Sequence, residues 1–386
     1  MPPTLSAPTS APAVVNLFAY NGLVIGTWAA SLAVLRERLG MDAGGIAVML
    51  VVAGLAAITG MQVGGRLADH FGARRVVLTC LPLLMVGLAF AGFATNLVAL
   101  FVGALLMGFG NGGIDVAMNA VGVQVEASRT KPIMSFFHGM WSVGNFAGAA
   151  LVLIMSAAWP TAPVQAAVVV ATVIGVASCV IGLRITPETA VISHADESGA
   201  KTAIPRWAYL LGLMAIAFGL GEGTAMDWSG LHVTEVVGLP AAQGSLAVTV
   251  VAAFMVAIRL LGDALVARFG RRAIVRFGGA CSAIGYLITA IATPLPVLLV
   301  GWALVGFGIG MIAPQVYAVA GHAAGGRGLA VVVTFGYATF LCGPAVIGFL
   351  ASQFGLQPTM FVPAVLLAVL PFLASVMPDE GRVAAT

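Results

Sequence analysis

Charge is what this chain has least of: Asp, Glu, Lys and Arg together make up 8% of its 386 residues, against 60% apolar residues. A soluble fold cannot hide that much apolar surface, so most of it must face lipid or other buried helices. The net charge of +3 comes with no basic block and no basic–aromatic interleaving, which argues against a nucleic-acid partner. The four cysteines, Cys80, Cys179, Cys281 and Cys342, stand singly inside apolar runs. Their spacing argues against a disulfide or metal framework and leaves four buried thiols. Residues Met1 to Pro12 contain no Lys or Arg, so they lack the charged region of a signal peptide and read as a short disordered tail. No metalloprotease His pair, nucleophile elbow or other catalytic signature occurs, so an enzyme is not expected, nor a metal or cofactor. Gly108-x-Gly110-x-x-Gly113 matches the dinucleotide fingerprint in letters only. It lies inside an apolar helical stretch with no preceding strand, where glycines serve close helix packing.

What is present is hydrophobic length. A helix needs about 20 apolar residues to cross the hydrocarbon core. Twelve candidate spans satisfy this, at 13–35, 45–66, 76–94, 97–124, 132–157, 164–184, 207–228, 243–262, 274–292, 295–318, 329–351 and 358–377. The longest polar stretch, 186–206, separates the sixth from the seventh and reads as a linker. The expected organisation is a tail (1–12), a six-helix bundle (13–185), the linker (186–206), a second six-helix bundle (207–378) and a tail (379–386). Trp159, Trp207 and Trp228 fall at expected span ends, where an amphipathic ring is favoured.

The two halves are related. Gly65-Arg66-Leu67-Ala68-Asp69-His70-Phe71-Gly72-Ala73-Arg74-Arg75 recurs as Gly262-Asp263-Ala264-Leu265-Val266-Ala267-Arg268-Phe269-Gly270-Arg271-Arg272. The offset is 270 − 72 = 198, and the same offset carries Gly108-Phe109-Gly110 onto Gly306-Phe307-Gly308 and Phe137 onto Phe335. Paired membrane halves of this kind are the trace of a chain that rocks around a central site. With the N-terminus inside, 14 of the 17 Lys and Arg residues fall on the cytoplasmic side, Arg36 and Arg38 outside, and Arg259 within span eight. The positive-inside bias therefore puts both termini in the cytoplasm.

Polar residues inside the spans are the candidate site. Asp115 leads, because an intramembrane carboxylate is costly and is kept for function by default. Desolvation disfavours a charged carboxyl, so an acid at this depth can take up and release a proton. The bland alternative is a structural carboxylate bonded to neighbouring helices. Asn111, Asp115 and Asn119 are spaced i, i+4, i+8 and form one stripe. His138 lies about 9 Å from the start of span five and Asp115 about 14 Å from the cytoplasmic end of span four, so the two share a depth on antiparallel helices. His138 could bind solute or share a proton with Asp115, or be a neutral packing residue. Asn21 could complete the site or serve as interhelical glue. Glu222 is a second proton or solute candidate, while Asp227 reads as an interface residue. Gln315 and Tyr317 offer hydrogen bonds from the second half, and Trp28, Trp141 and Tyr337 could stack on a solute or simply pack. Arg259 and Asp263, spaced i, i+4, form an expected ion pair, structural or gating in role. Asp69 with Arg74 and Arg75, and Arg271 with Arg272, complete the gating set, whose pairs can be remade between states.

Twelve spans in two halves, with the charged turn Gly65-x-x-x-Asp69-x-x-Gly72-x-Arg74-Arg75 after span two and its copy after span eight, resemble the major facilitator superfamily over essentially the whole chain. The second copy has Ala267 in place of the acid, with Asp263 one turn earlier. In that superfamily the turn braces the cytoplasmic face. Gly112-Gly113-Ile114-Asp115-Val116-Ala117-Met118-Asn119, Ser135-Phe136-Phe137-His138-Gly139 and Gly221-Glu222-Gly223-Thr224-Ala225-Met226-Asp227-Trp228 are similar to its fucose-permease-like bacterial branch. The fucose permeases carry Glu where Asp115 stands, Asn at Asn119 and Asn where His138 stands. They also have an acid in span one, where Gly22 to Ser31 has none.

The resemblance implies an all-α, twelve-helix membrane fold of two pseudo-symmetric bundles, and alternating access with a proton as coupling ion. The expected function is symport of a small polar solute, sugar-like in chemistry. The alternative is proton-driven efflux of drugs or metabolites. Efflux antiporters of the superfamily usually carry a Gly-Pro motif in span five. Here Gly144-Asn145-Phe146-Ala147-Gly148 lacks the proline, and a Gly343-Pro344 pair stands in span eleven instead. The superfamily's usual span-four arginine is also absent, with Gly103 at about that depth. The expected setting is a bacterial cytoplasmic membrane, with the lipid bilayer and a small solute as partners and the chain as a monomer.

Overall fold

A computed structural model of the protein describes residues 11–127, 133–185 and 206–377. The expected tails and linker lie outside these residues, apart from Ala11 and Pro12, which already belong to the first helix, and Arg206, which opens the seventh. The side chains of Asp263 and Tyr337 are likewise outside the description.

Among the described residues, twelve helices are long and apolar enough to cross a membrane. Numbered as spans 1–12, they are Ala11–Leu39, Ala43–Phe71, Ala73–Gly92, Leu97–Glu126, Phe136–Ala158, Pro163–Gly182, Tyr209–Val237, Ala241–Gly262, Ala264–Ile291, Leu295–Ala320, Thr334–Phe354 and Leu356–Val376. Among the described residues there is no strand. Local chemistry sets several starts. Asp42 accepts the Gly45 amide at 2.7 Å at the head of span 2, and Asn96 accepts the Ala99 amide at 2.9 Å at the head of span 4. Pro163 opens span 6, where its missing N–H costs nothing. Exposed side chains such as Val98 and Phe372 give the spans an apolar outer surface suited to lipid.

Spans 7, 10 and 11 depart from the sequence expectation. The seventh helix runs Arg206–Val237, well past the expected end at 228. The polar run around His232 masks the continuation, yet His232 is fully buried and its Nε2 lies 3.1 Å from the Thr289 carbonyl, with its ring edge on Trp302. Trp228 is therefore an interior residue, 1% exposed, and not an interfacial anchor. Trp159, 62% exposed at the end of span 5, fits the anchor expectation. Spans 10 and 11 belong to one helical run, Leu295–Phe354. A Cβ at Gly336 would stand 2.7 Å from the Tyr317 hydroxyl. Nineteen residues of straight helix (336 − 317 = 19) would separate those positions by about 28 Å, so the two spans lie side by side.

The chain divides into two compact units, Met1–Gly40 with Met49–Glu197, and Met41–Val48 with Ser198–Thr386. Each repeats the other's packing at the 198-residue offset. Gly108 meets the Ala53 carbonyl in the first unit, and Gly306 meets the Val251 carbonyl in the second. A Cβ at Gly110 would stand 2.6 Å from the Leu84 nitrogen, and one at Gly308 2.7 Å from the Ser282 nitrogen. Helices in lipid gain little from the hydrophobic effect, so such bare backbone approaches supply the dispersion contact that holds a bundle. The turns match as well. Gly72 (φ 81, ψ 148) and Gly270 (φ 75, ψ 156) adopt one conformation that side chains oppose. Gly40 and Gly238, also 198 apart, both have positive φ.

Candidate functional site

In the first unit, spans 1 and 5 interlock through glycines. Gly22 faces the Trp141 carbonyl, Gly26 that of Asn145, Gly144 that of Ala19 and Gly148 that of Leu23, and none of these leaves room for a Cβ. That approach brings Asn21 beside Trp141. The Trp141 Nε1–H donates to Asn21 Oδ1 at 2.7 Å, and Asn21 Nδ2 donates to Asn111 Oδ1 at 2.8 Å. Spans 5, 1 and 4 are thus tied by one polar chain. Asn21, 2% exposed, spends both ends of its amide on it.

One turn along span 4, Asn119 Nδ2 donates to the Asp115 carbonyl at 2.7 Å and lies 3.4 Å from its Oδ1. Asp115 is half-buried, and among the described residues no Lys, Arg or His pairs with its carboxylate. His138 is exposed, its ring edge on Phe18 at a centroid distance of 5.2 Å, and it is not bonded to Asp115. Trp28 is buried at 4% exposure. The structure therefore joins Asn21, Asn111 and Trp141, joins Asp115 to Asn119, and keeps His138 apart from the acid. Asn111, marked in the sequence only as part of a stripe, is the residue through which span 4 enters the chain.

In the second unit, Glu222 finds a cation. Arg259 Nη2 donates to Glu222 Oε1 at 3.1 Å, with side chains 17% and 16% exposed. Arg259 Nε also donates to the Gly310 carbonyl at 3.1 Å. Spans 7, 8 and 10 are thereby joined by a partly buried pair, which lowers the cost of both charges in a low-dielectric setting. The expected partner Asp263, one turn along the same helix, has its side chain outside the described residues. Glu222, a partner the sequence did not name, lies 37 residues away, a contact that intrahelical spacing cannot reveal.

Gln315, 6% exposed, is held by Arg271, whose Nη1 donates to Oε1 at 2.7 Å. A residue expected to offer itself to solute thus already serves a residue expected to act in gating. Tyr317 packs edge-on against Phe218 at 5.6 Å.

The remaining arginines of the repeated turn act on helix ends. Arg74 Nη2 donates to the Leu183 carbonyl at 3.3 Å, and Arg272, its counterpart at the 198 offset, donates to the Met377 carbonyl. Each ties the helix after the turn to the carbonyl end of its unit's last helix, where a cation is favoured. Arg75 lies over the Phe71 ring at 5.5 Å. No ion pair joins Asp69 to Arg74 or Arg75 among the described residues.

The family model for the Major Facilitator Superfamily matches residues 14–226 and 211–384. The chain belongs to that superfamily. It is accordingly a multi-pass membrane transporter and not an enzyme. It is 32% identical over 365 residues to the transporter y4wD of Sinorhizobium fredii, covering 93% of this chain and 96% of that one. It is 30% identical over 356 residues to an MFS-type transporter of Yersinia pestis, covering 91% of each. Among solved structures, the nucleoside transporter NupG is similar with a TM-score of 0.72 at 14% identity, over 95% of this chain and 100% of NupG. The Escherichia coli fucose:proton symporter FucP is similar with a TM-score of 0.62 at 16% identity, over 96% of this chain and 98% of FucP. At these identities the two structures speak for the fold, which they share with this superfamily member.

Proposed function

We propose that this transporter couples proton movement to symport of a small polar solute, a sugar or sugar derivative, by alternating access in a bacterial cytoplasmic membrane. The observation that carries the reading is the Asp115 carboxylate, which sits on a membrane-crossing helix with the Asn119 amide as its side-chain partner and no cation among the described residues. An ionised carboxylate so placed is costly in hydrocarbon, and protonation removes that cost. Loading a proton on Asp115 lowers the barrier to closing the protein around it, which links proton binding to a change of state. The polar chain from Trp141 through Asn21 reaches the Asp115 helix at Asn111, one turn away, where the half-buried Asn111 keeps its Nδ2 donors beside Asp115 and Asn119, the chemistry a sugar-like solute needs.

Two similar folds whose names specify small polar cargo, nucleosides for NupG and fucose with protons for FucP, support the same class. The bacterial relatives support the membrane, and the distribution of Lys and Arg supports cytoplasmic termini. The chain acts as a monomer with no resident cofactor, the proton being the coupling ion. Efflux is the second reading. The proline-free Gly144–Gly148 segment of span 5 favours uptake over it.

The test is proton flux in proteoliposomes against a panel of sugars, polyols, nucleosides and cationic drugs. A sugar-class solute should drive proton entry in the wild type, and Asp115→Asn should abolish that coupling. Undiminished flux in Asp115→Asn would remove Asp115 from the mechanism. Flux driven by cationic drugs alone would support efflux.

A further inference from the structure

A cavity within the second unit stands apart from the groups used above. It lies between spans 7 and 11 and holds about 20 Å³, room for one water-sized particle. Gly223, Thr224 and Asp227 line it from span 7, and Thr339, Gly343 and Pro344 from span 11. Thr224 and Asp227 are i, i+3 and share a helix face. Thr224 is 2% exposed and its hydroxyl has no hydrogen-bond partner. The Asp227 carboxylate has neither a hydrogen bond nor an ion pair among the described residues. Thr339 gives its hydroxyl hydrogen to the Phe335 carbonyl at 2.9 Å, which leaves its oxygen lone pairs to accept. Pro344 lacks the amide that would otherwise engage the carbonyl four residues earlier. Gly223 keeps the space open, for a Cβ there would meet nothing within 4 Å.

The Asp227, Thr224 and Thr339 side chains put oxygens able to accept around this space, one of them carrying a full negative charge, and Trp228 adds its indole to the same wall. Asp227 lies ten residues, about 15 Å of helix, before the end of span 7 at Val237, so an unneutralised charge there is expensive. A carboxylate with two hydroxyl oxygens suits a hard cation, and a single carboxylate balances a single positive charge. We infer that this cavity is a monovalent-cation site, taking one sodium or hydronium ion on the Asp227 carboxylate and the Thr224 and Thr339 hydroxyls. Asp227 is the titratable group of its lining. The site does not depend on the role given to Asp115.

The test is thermal unfolding of the full-length protein in nanodiscs. Sodium chloride is titrated at pH 8 against choline chloride at constant ionic strength, and pH is then varied in choline alone. A sodium site gives a saturable rise in Tm that Asp227→Asn and Gly223→Leu abolish. Thr224→Val should shift its midpoint to about tenfold higher sodium. A hydronium site gives no sodium response but, in an Asp115→Asn background that removes the other membrane acid's contribution, a pH-dependent Tm that adding Asp227→Asn or Gly223→Leu diminishes. A wild-type Tm indifferent to both, a sodium response that survives in Asp227→Asn, or a pH response in the Asp115→Asn background that Asp227→Asn leaves undiminished overturns the inference. If Asp227→Asn does not fold, Gly223→Leu, which fills the cavity and spares the carboxylate, decides by the same criterion.

Discussion

Glu222 and Arg259 illustrate how one residue's meaning depends on its partner. Alone, each is a charge that the membrane penalises. Together, at 3.1 Å and about one-sixth exposed, they form a neutral brace between spans 7 and 8 that the Gly310 carbonyl extends to span 10. Removing one member leaves the other uncompensated, a loss of roughly 3–5 kcal/mol when a buried pair is broken. Glu222→Gln and Arg259→Gln should each lower Tm clearly, and the double variant should recover more than half of the loss, as read by thermal unfolding in detergent. Equal and additive losses would show that the two charges act separately. Asp115 is the contrast, a carboxylate whose side-chain partner is a neutral amide, which is why it and not Glu222 carries the proposed proton step.

At the scale of the element, glycine decides which helices touch. Gly108 on span 4 and Gly306 on span 10 each rest on a neighbouring helix's carbonyl, at Ala53 and Val251. Alanine at either position would have to push a backbone aside, an overpacking cost of about 1–3 kcal/mol. Gly108→Ala and Gly306→Ala should therefore destabilise to a similar degree, each in its own unit. Gly223→Ala, with nothing within 4 Å of its new Cβ, should be neutral or slightly stabilising. Thermal unfolding of the three single variants would check this order. The same interlocking places Asn21 against Trp141, so the polar chain of the first unit is a consequence of helix packing and not of the asparagine alone.

The whole molecule is one six-helix design used twice. Matching close approaches at the 198-residue offset, and matching turns at Gly72 and Gly270, show that the two units repeat the same backbone solution. Both turn glycines occupy a region essentially reserved for glycine, at a cost of about 1–3 kcal/mol to any other residue. Gly72→Ala and Gly270→Ala should each lower Tm, and to a comparable extent, because the strain is the same in both. A large loss at one and none at the other would show that the two turns are not equivalent in the folded protein. The arginines that follow have kept one role, since Arg74 and Arg272 both cap the last helix of their unit. The polar residues have diverged. Position 222 holds Glu in the second unit while its counterpart 24 is Val, and position 115 holds Asp while its counterpart 313 is Ala.

Composition and hydrophobic run length by themselves determined the twelve-span membrane fold and the twofold repeat, because both depend on local apolar length and on glycines that recur at a fixed interval. The sequence also picked out Asp115, Asn119, Asn21, Glu222 and Arg259, because polar groups inside apolar helices are conspicuous one residue at a time. It misjudged the end of span 7, since His232 looks like a boundary until its contacts with Thr289 and Trp302 are known. Only the tertiary structure decided who meets whom. It paired Arg259 with Glu222, gave Gln315 to Arg271, separated His138 from Asp115, and enclosed Asp227 and Thr224 opposite Thr339. The reason is geometric: a helix reports its own neighbours every three or four residues, whereas contacts between helices depend on rotation and depth, and those are set by how all the faces pack.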